Sequence, residues 1–156
     1  EISFAPAMQE NFKALPPNLG VEALTTLPDG RMLAISEYTR IIDGKNNALG
    51  WLIGHGKVEP LSYEPGPGFK PTDMATLPNG DILILERHLS LAKGMATRLT
   101  RIPVMSIAAG RTITGEVIAE LCFPFNLDNM EALAVLQNDA GATMIYIMSD
   151  NNFNTL

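Results

Sequence analysis

"VEALTTLPDGRMLAISE", Val21 to Glu37, reads as strand, tight turn, strand. Leu27-Pro28-Asp29-Gly30 forms the turn, because Asp-Gly supplies the left-handed backbone angles that a short hairpin needs. The flanks are strands by alternation and β-branching. The pattern returns fifty residues later as "PTDMATLPNGDILILER", Pro71 to Arg87, with Leu77-Pro78-Asn79-Gly80 falling on the first turn. A looser third copy is "NMEALAVLQNDAGATMIYIMSD", Asn129 to Asp150. It sets Glu131-Ala132-Leu133 on Glu22-Ala23-Leu24, and Ser149-Asp150 on Ser36-Glu37 after a turn longer by four residues. Spacings of about 50 and 59 residues mark a repeat architecture.

Each hairpin is followed by more strand. "LGWLIGHGK" and "VEPLSYEP" meet at His55-Gly56-Lys57, and "ATRLTRIPV" and "TITGEVIAELCF" are joined through "AAGRT". Helix signals are nearly absent, with "SIAAG" and "QENFKAL" the only weak candidates. Four short antiparallel strands in each unit of this length predict an all-β chain, a β-propeller fragment of about two and a half blades. The units run 21–69, 70–128 and an incomplete 129–156. A β-sandwich or open meander is the alternative, but it gives no reason for the repeat. Only "NNFNTL" follows Asp150, and a propeller needs about four or more blades to remove its edges. The chain therefore reads as a C-terminal portion lacking its last strands, or as part of an assembly, and is expected to self-associate through unpaired strand edges.

The bulk composition narrows the partners. Apolar residues make up 46% of the 156, enough for a packed core and too many for a disordered chain. A net charge of −6 without a basic cluster argues against nucleic acid and is easier to reconcile with a cation or cationic ligand. The single cysteine excludes an internal disulfide; within "ELCFPF" Cys122 is expected to be a buried thiol. The eight methionines are expected to fill the core. No run approaches the ~18 to 20 apolar residues of a membrane span. The chain begins with Glu1, so a missing signal peptide says nothing about compartment.

The first strand of each propeller blade lines the central channel, which gives the acids of the repeat a candidate role. Glu22 and Glu131 occupy matching places, and Asp73 lies one position off, as a bulge where the strand begins could allow. These acids could converge into a ligand or cation site, or each could accept hydrogen bonds from a neighbouring blade's backbone. Arg87 and His88 end a second strand, where they could bind phosphate or carboxylate; Arg87 could equally pair with Glu86 or Glu37. His55 reads as a hairpin-turn residue. No Gly-x-Ser-x-Gly elbow is present, and the two histidines lie in different units.

"GVEALTTLPDGRMLAISE", "FKPTDMATLPNGDILILERHLS" and "LDNMEALAVLQNDAGATMIYIMSDNNFNTL" together resemble the family described as esterase-like activity of phytase, the phytase-like domain. The similarity runs from about Leu19 to the end, departing at Thr155, where family members continue with Pro-Leu-Gln and a basic tail. It implies a mostly exported bacterial protein, periplasmic or secreted, with a propeller fold and hydrolytic activity on esters or phosphoesters; it assigns no catalytic set. A propeller phosphoesterase would hold calcium with clustered oxygen ligands. Glu22, Asp73, Glu131 and Asp150 are the carboxylate candidates, with Asp128, Asn129, Asn151 and Asn152 also suited; an Asx-turn role for the "SDNN" segment needs no metal. A ligand-binding propeller without turnover and a cell-envelope interaction module are the competing functions.

Overall fold

The computed structural model describes Glu10, Phe12, Lys13, residues 15–90 and residues 94–150. It is all-β. The first unit comprises β1 (Val21–Thr26), β2 (Met32–Ile42), β3 (Lys45–Gly54) and β4 (Lys57–Tyr63), paired antiparallel in sequence order. The second begins with β5 (Lys70–Thr76), β6 (Ile82–Ser90) and β7 (Gly94–Ile102). A 3-10 turn at Val104–Ser106 and the short β8 (Thr112–Ile113) follow, and β9 (Glu116–Leu121) then completes the second sheet against β7. The third is a hairpin of β10 (Asn129–Gln137) and β11 (Thr143–Asp150).

The three hairpins share one turn geometry. In the first turn the Leu27 N–H donates to the Arg31 carbonyl and the Gly30 N–H to the Leu27 carbonyl. Leu77/Asp81 with Gly80/Leu77, and Asn138/Ala142 with Gly141/Asn138, repeat that pair of bonds. Gly30, Gly80 and Gly141 all have positive φ, 84°, 90° and 77°, which a side chain would strain. The third turn is therefore no longer than the others. Its four extra residues extend the ladder, which runs from Ala132↔Met148 to Gln137↔Thr143 where the first runs from Ala23↔Ile35 to Thr26↔Met32. His55 and Gly56 take positive φ, 52° and 73°, in the β3–β4 hairpin, as a two-residue primed turn requires.

"TITGEVIAELCF" is not one strand. Its first two residues, β8, leave the second unit and pair in parallel with Ser62 and Tyr63 of β4, so the first sheet gains a fifth strand. The break falls at Gly115, where a Cβ would sit 2.4 Å from Thr100 Cγ2 and 2.7 Å from the Arg101 carbonyl oxygen. Of the two weak helix candidates, residues 9–15 lie partly outside the described residues, and "SIAAG" only overlaps the end of the 3-10 turn.

The sheets stack face against face. Residues i and i+2 of a strand share a face, so each sheet has two apolar faces to cover. Ala23, Leu33, Ile35, Leu52 and Leu61 of the first unit pack with Met74, Ile82, Ile84 and Ile102 of the second. The opposite face of the second unit, Leu83, Leu85 and Leu99, packs on Leu133, Val135 and Ile147 of the third. The first strands β1, β5 and β10 are neighbours across this stack. Two core expectations are corrected. Cys122 is exposed, because β9 ends at Leu121 and the chain turns out toward solvent. Among the described methionines only Met74 is buried; Met32, Met105, Met144 and Met148 are exposed.

Candidate functional site

Each first strand carries a β-bulge at the same repeat position. The ladder skips Glu22 between Val21 and Ala23, Thr72 between Pro71 and Asp73, and Glu131 between Met130 and Ala132. A bulge re-aims its extra residue, and here it presents Glu22 on β1 and Glu131 on β10 at equivalent points on the two strands that flank β5. Because the bulge is common to all three units, it does not bring Asp73 into their register; Thr72 holds that place, buried, its hydroxyl donating to the Leu85 carbonyl. Asp73 instead accepts the Met74 N–H at 2.8 Å and, across the sheet boundary, the Leu133 N–H at 2.7 Å. Its carboxylate ties β5 to β10.

One step further along, the second strands supply the partners. Glu37, Arg87 and Asp150 occupy equivalent positions, opposite Gly20, Lys70 and Asn129 respectively. Glu37 is buried at 7% exposure, and its Oε1 accepts both Arg87 Nη2 at 2.9 Å and Lys70 Nζ at 3.3 Å. Arg87 Nη1 donates to Asn129 Oδ1, and Nη2 also lies 3.7 Å from Glu131 Oε1. Asn129 Nδ2 donates in turn to Glu131. Two acids and two cations from three units thus meet in one cluster, close enough for Glu22 to feel their charges. Partial burial raises the Glu22 carboxyl above its ordinary value, the charges of Glu37 and Glu131 push it further, and Arg87 opposes them.

His88 is not part of this cluster. Neighbours on a strand point to opposite faces, so Arg87 faces the third unit while His88 packs on the Phe69 ring, 5.2 Å between centroids, beneath Gly68. Asp150 stands beside Asn129 in the β10–β11 ladder. Asn151 and Asn152 lie outside the described residues. Among the described residues, no three or more His, Cys, Asp or Glu side chains are gathered so as to hold a metal ion.

A second polar group lies on the other side of β6. Glu86 is fully buried, at the repeat position held by Ser36 and Ser149. Its Oε2 accepts the Thr100 hydroxyl at 2.7 Å and its Oε1 the Gly66 N–H at 3.3 Å. Burial pushes this carboxyl up, against the pull of Thr100, Gly66, Arg98 and Tyr63. Burial, and next the negative charge of Glu86, push the Tyr63 phenol up as well. These groups line a cleft of about 200 Å³ between the first two units, and Arg98 stacks on Phe69 with its guanidinium carbon 3.9 Å from the ring centroid. Sequence reading passed over Lys70, Arg98 and Thr100, and treated Glu37 and Glu86 only as possible partners of Arg87. The signal available was the fifty-residue register, in which Glu86 falls on Ser36 and departs from the pattern.

The fold is an all-β stack of hairpins with a charged cluster at the bulges of its first strands. The family model for the phytase-like proteins, described as esterase-like activity of phytase, matches residues 2–153, and the chain belongs to that family. No curated protein and no solved structure matched it. Among the described residues, no helix is long and apolar enough to cross a membrane.

Proposed function

We propose that the chain is a hydrolase of esters or phosphoesters whose reaction takes place at the bulge cluster. The observation that supports this best is the pairing of unlike carboxyls beside cations. Glu22 is pushed toward its protonated form, while Glu131 takes a hydrogen bond from Asn129 and lies against Arg87. A carboxyl held toward its protonated form is suited to give a proton, and a second carboxylate beside it to take one. In the proposed reaction, Lys70, the more exposed cation, contacts the acyl or phosphoryl oxygen as negative charge develops there. Glu131 takes a proton from water, the water oxygen bonds to carbon or phosphorus, and Glu22 gives its proton to the departing alcohol oxygen. Arg87 holds Glu37 and Glu131 in place.

The framework belongs to the same proposal: units 21–69, 70–128 and 129–156 are successive blades of one phytase-like propeller domain acting in the periplasm or outside the cell. Four antiparallel strands in each of the first two sheets, β1–β4 (with β8 added at the edge) and β5, β6, β7 and β9, and the packing of successive units face to face support that reading. Calcium assistance is its second, separable part. Glu22, Glu131 and Asp150 would hold the ion only together with further oxygens, because Arg87 already lies among the acids. A calcium-induced rise in Tm, lost in Glu131→Gln, would support it. Ligand binding without turnover is the alternative reading of the same cluster.

The test is turnover of p-nitrophenyl acetate and p-nitrophenyl phosphate. The wild type should hydrolyse one of them, and Glu131→Gln should be slower by about a hundredfold or more at unchanged Tm. Substrate binding without turnover would select the binding-only reading.

A further inference from the structure

The segment "EPGPGFK", Glu64 to Lys70, links the first unit to the second and touches both polar regions. It begins over the buried Glu86 and ends on Lys70 of the bulge cluster. Its middle is a tight turn. The Phe69 N–H donates to the Gly66 carbonyl at 2.9 Å, with Pro67 and Gly68 between them and Gly68 at a φ of 78°, the type II pattern. The Gly66 N–H is tied to Glu86, and a Cβ on Gly66 would overlap Arg98 Nη1. Only a glycine there lets the guanidinium lie directly against the turn.

Arg98 reaches this place from β7, opposite Glu86 in the ladder. Its Nε and Nη2 both donate to Glu120 Oε2, at 3.0 and 2.7 Å, which fixes the plane of the fork. The guanidinium carbon then stands 3.9 Å from the centroid of the Phe69 ring, and the His88 ring lies 5.2 Å from the same centroid. Phe69 is buried between them, and a guanidinium stacked on an aromatic face away from water is a strong contact. Lys70 is the next residue and the first of β5. Its main chain makes the end pair of the ladder, with Arg87, so the approach of the chain to that pair is set by Phe69. Its ammonium bonds to Glu37 at 3.3 Å on a side chain that is 43% exposed.

We propose that Arg98 is a positioning residue for the bulge cluster: by clamping the Phe69 ring it fixes where the chain enters β5, and with it where the Lys70 ammonium stands against Glu37. The placement of Lys70 is geometry alone. Its consequence for turnover rests on the hydrolase reading, in which Lys70 contacts the oxygen that gains negative charge. A contact that strengthens only as that charge develops acts on kcat and leaves KM alone. Arg98 itself touches no reacting atom.

Two readouts on the full chain test it, and the first needs no turnover. In trace labelling with acetic anhydride, acetylation of Lys70 is compared with that of the exposed Lys57 by peptide mass spectrometry. Only the unprotonated amine reacts, so an ammonium held by a carboxylate is protected. Arg98→Met and Phe69→Leu should each raise the Lys70-to-Lys57 ratio about threefold at unchanged circular dichroism. The double variant should raise it no further, because both changes remove one contact. Arg98→Lys keeps the charge, loses the planar fork and should lie between, and it serves if Arg98→Met misfolds. The second readout is kcat for the p-nitrophenyl substrate, which should fall about tenfold in Arg98→Met with KM unchanged. A ratio that stays at its wild-type value in both single variants overturns the proposal even if turnover falls, and so does a double variant in which the two effects multiply. A raised ratio in a protein whose wild type hydrolyses neither substrate supports the clamp and defeats only the hydrolase reading.

Discussion

Glu86 and Arg87 are adjacent on β6, yet they belong to two differently built polar regions. Glu86 turns toward the first unit, fully buried, and is held by a hydroxyl and a main-chain N–H. Arg87 turns toward the third unit and joins Glu37, Asn129 and Glu131 in a cluster that reaches solvent. The first region is a polar plug between two apolar sheets, where low polarity favours the neutral acid. The second is a set of opposed charges in which the Glu22 carboxyl is pushed up by partial burial and by Glu37 and Glu131, against Arg87. The plug locks a junction, whereas the open cluster has charge to offer a ligand.

The largest effect should come from breaking the cluster. Arg87→Met leaves Glu37 with Lys70 alone and should cost about 3 kcal/mol in chemical denaturation. It should also raise the Glu22 carboxyl further, because Arg87 is what lowers it. On the plug side, Gly115→Ala drives a methyl against Thr100 and the Arg101 backbone and should cost about 2 kcal/mol. Between the two regions lies Asp73. Asp73→Ala strips the Met74 and Leu133 N–H groups of their acceptor and should cost about 1 to 2 kcal/mol, leaving hydrolysis unchanged. Loss of turnover in that variant would make Asp73 part of the reacting group.

The smallest effect is a matter of pH. Glu86 has a folded value above its unfolded one, near 4.5, so the native state keeps the proton longer as pH rises. Its stabilising contribution is complete below that unfolded value and is lost as pH climbs through the folded value. Glu86→Gln should therefore flatten the decline in Tm on the alkaline side of pH 4.5, a comparison of melting curves that leaves the cluster untouched.

The all-β architecture was legible because Leu-Pro-Asp-Gly and Leu-Pro-Asn-Gly fix two turns fifty residues apart, and turn chemistry with alternating strands determines local pairing. The third turn was misjudged because Asn138-Asp139-Ala140-Gly141 makes the same hydrogen bonds without the Leu-Pro signature, while the inserted residues lengthen the strands. β8 was missed because nothing local distinguishes Thr112-Ile113 from the strand after it; the close approach at Gly115 is a tertiary fact. In the site, Glu22 and Glu131 could be matched by register. Asp73 and His88 could not be separated from the cluster until the common bulge and the strand's alternation were seen. Lys70 was overlooked because its partner Glu37 lies 33 residues away, in another unit.

The most direct test of the hydrolytic cluster is the pH dependence of kcat/KM for whichever p-nitrophenyl substrate is turned over, in the wild type, Glu22→Gln and Arg87→Lys. A proton-donating Glu22 predicts an alkaline limb above the ordinary carboxylate range, absent from the much slower Glu22→Gln enzyme. Arg87→Lys, which keeps the charge and loses the fork, should retain the limb at reduced rate. A profile with the same limb and the same rate in Glu22→Gln as in the wild type would contradict the assignment of the reaction to this cluster.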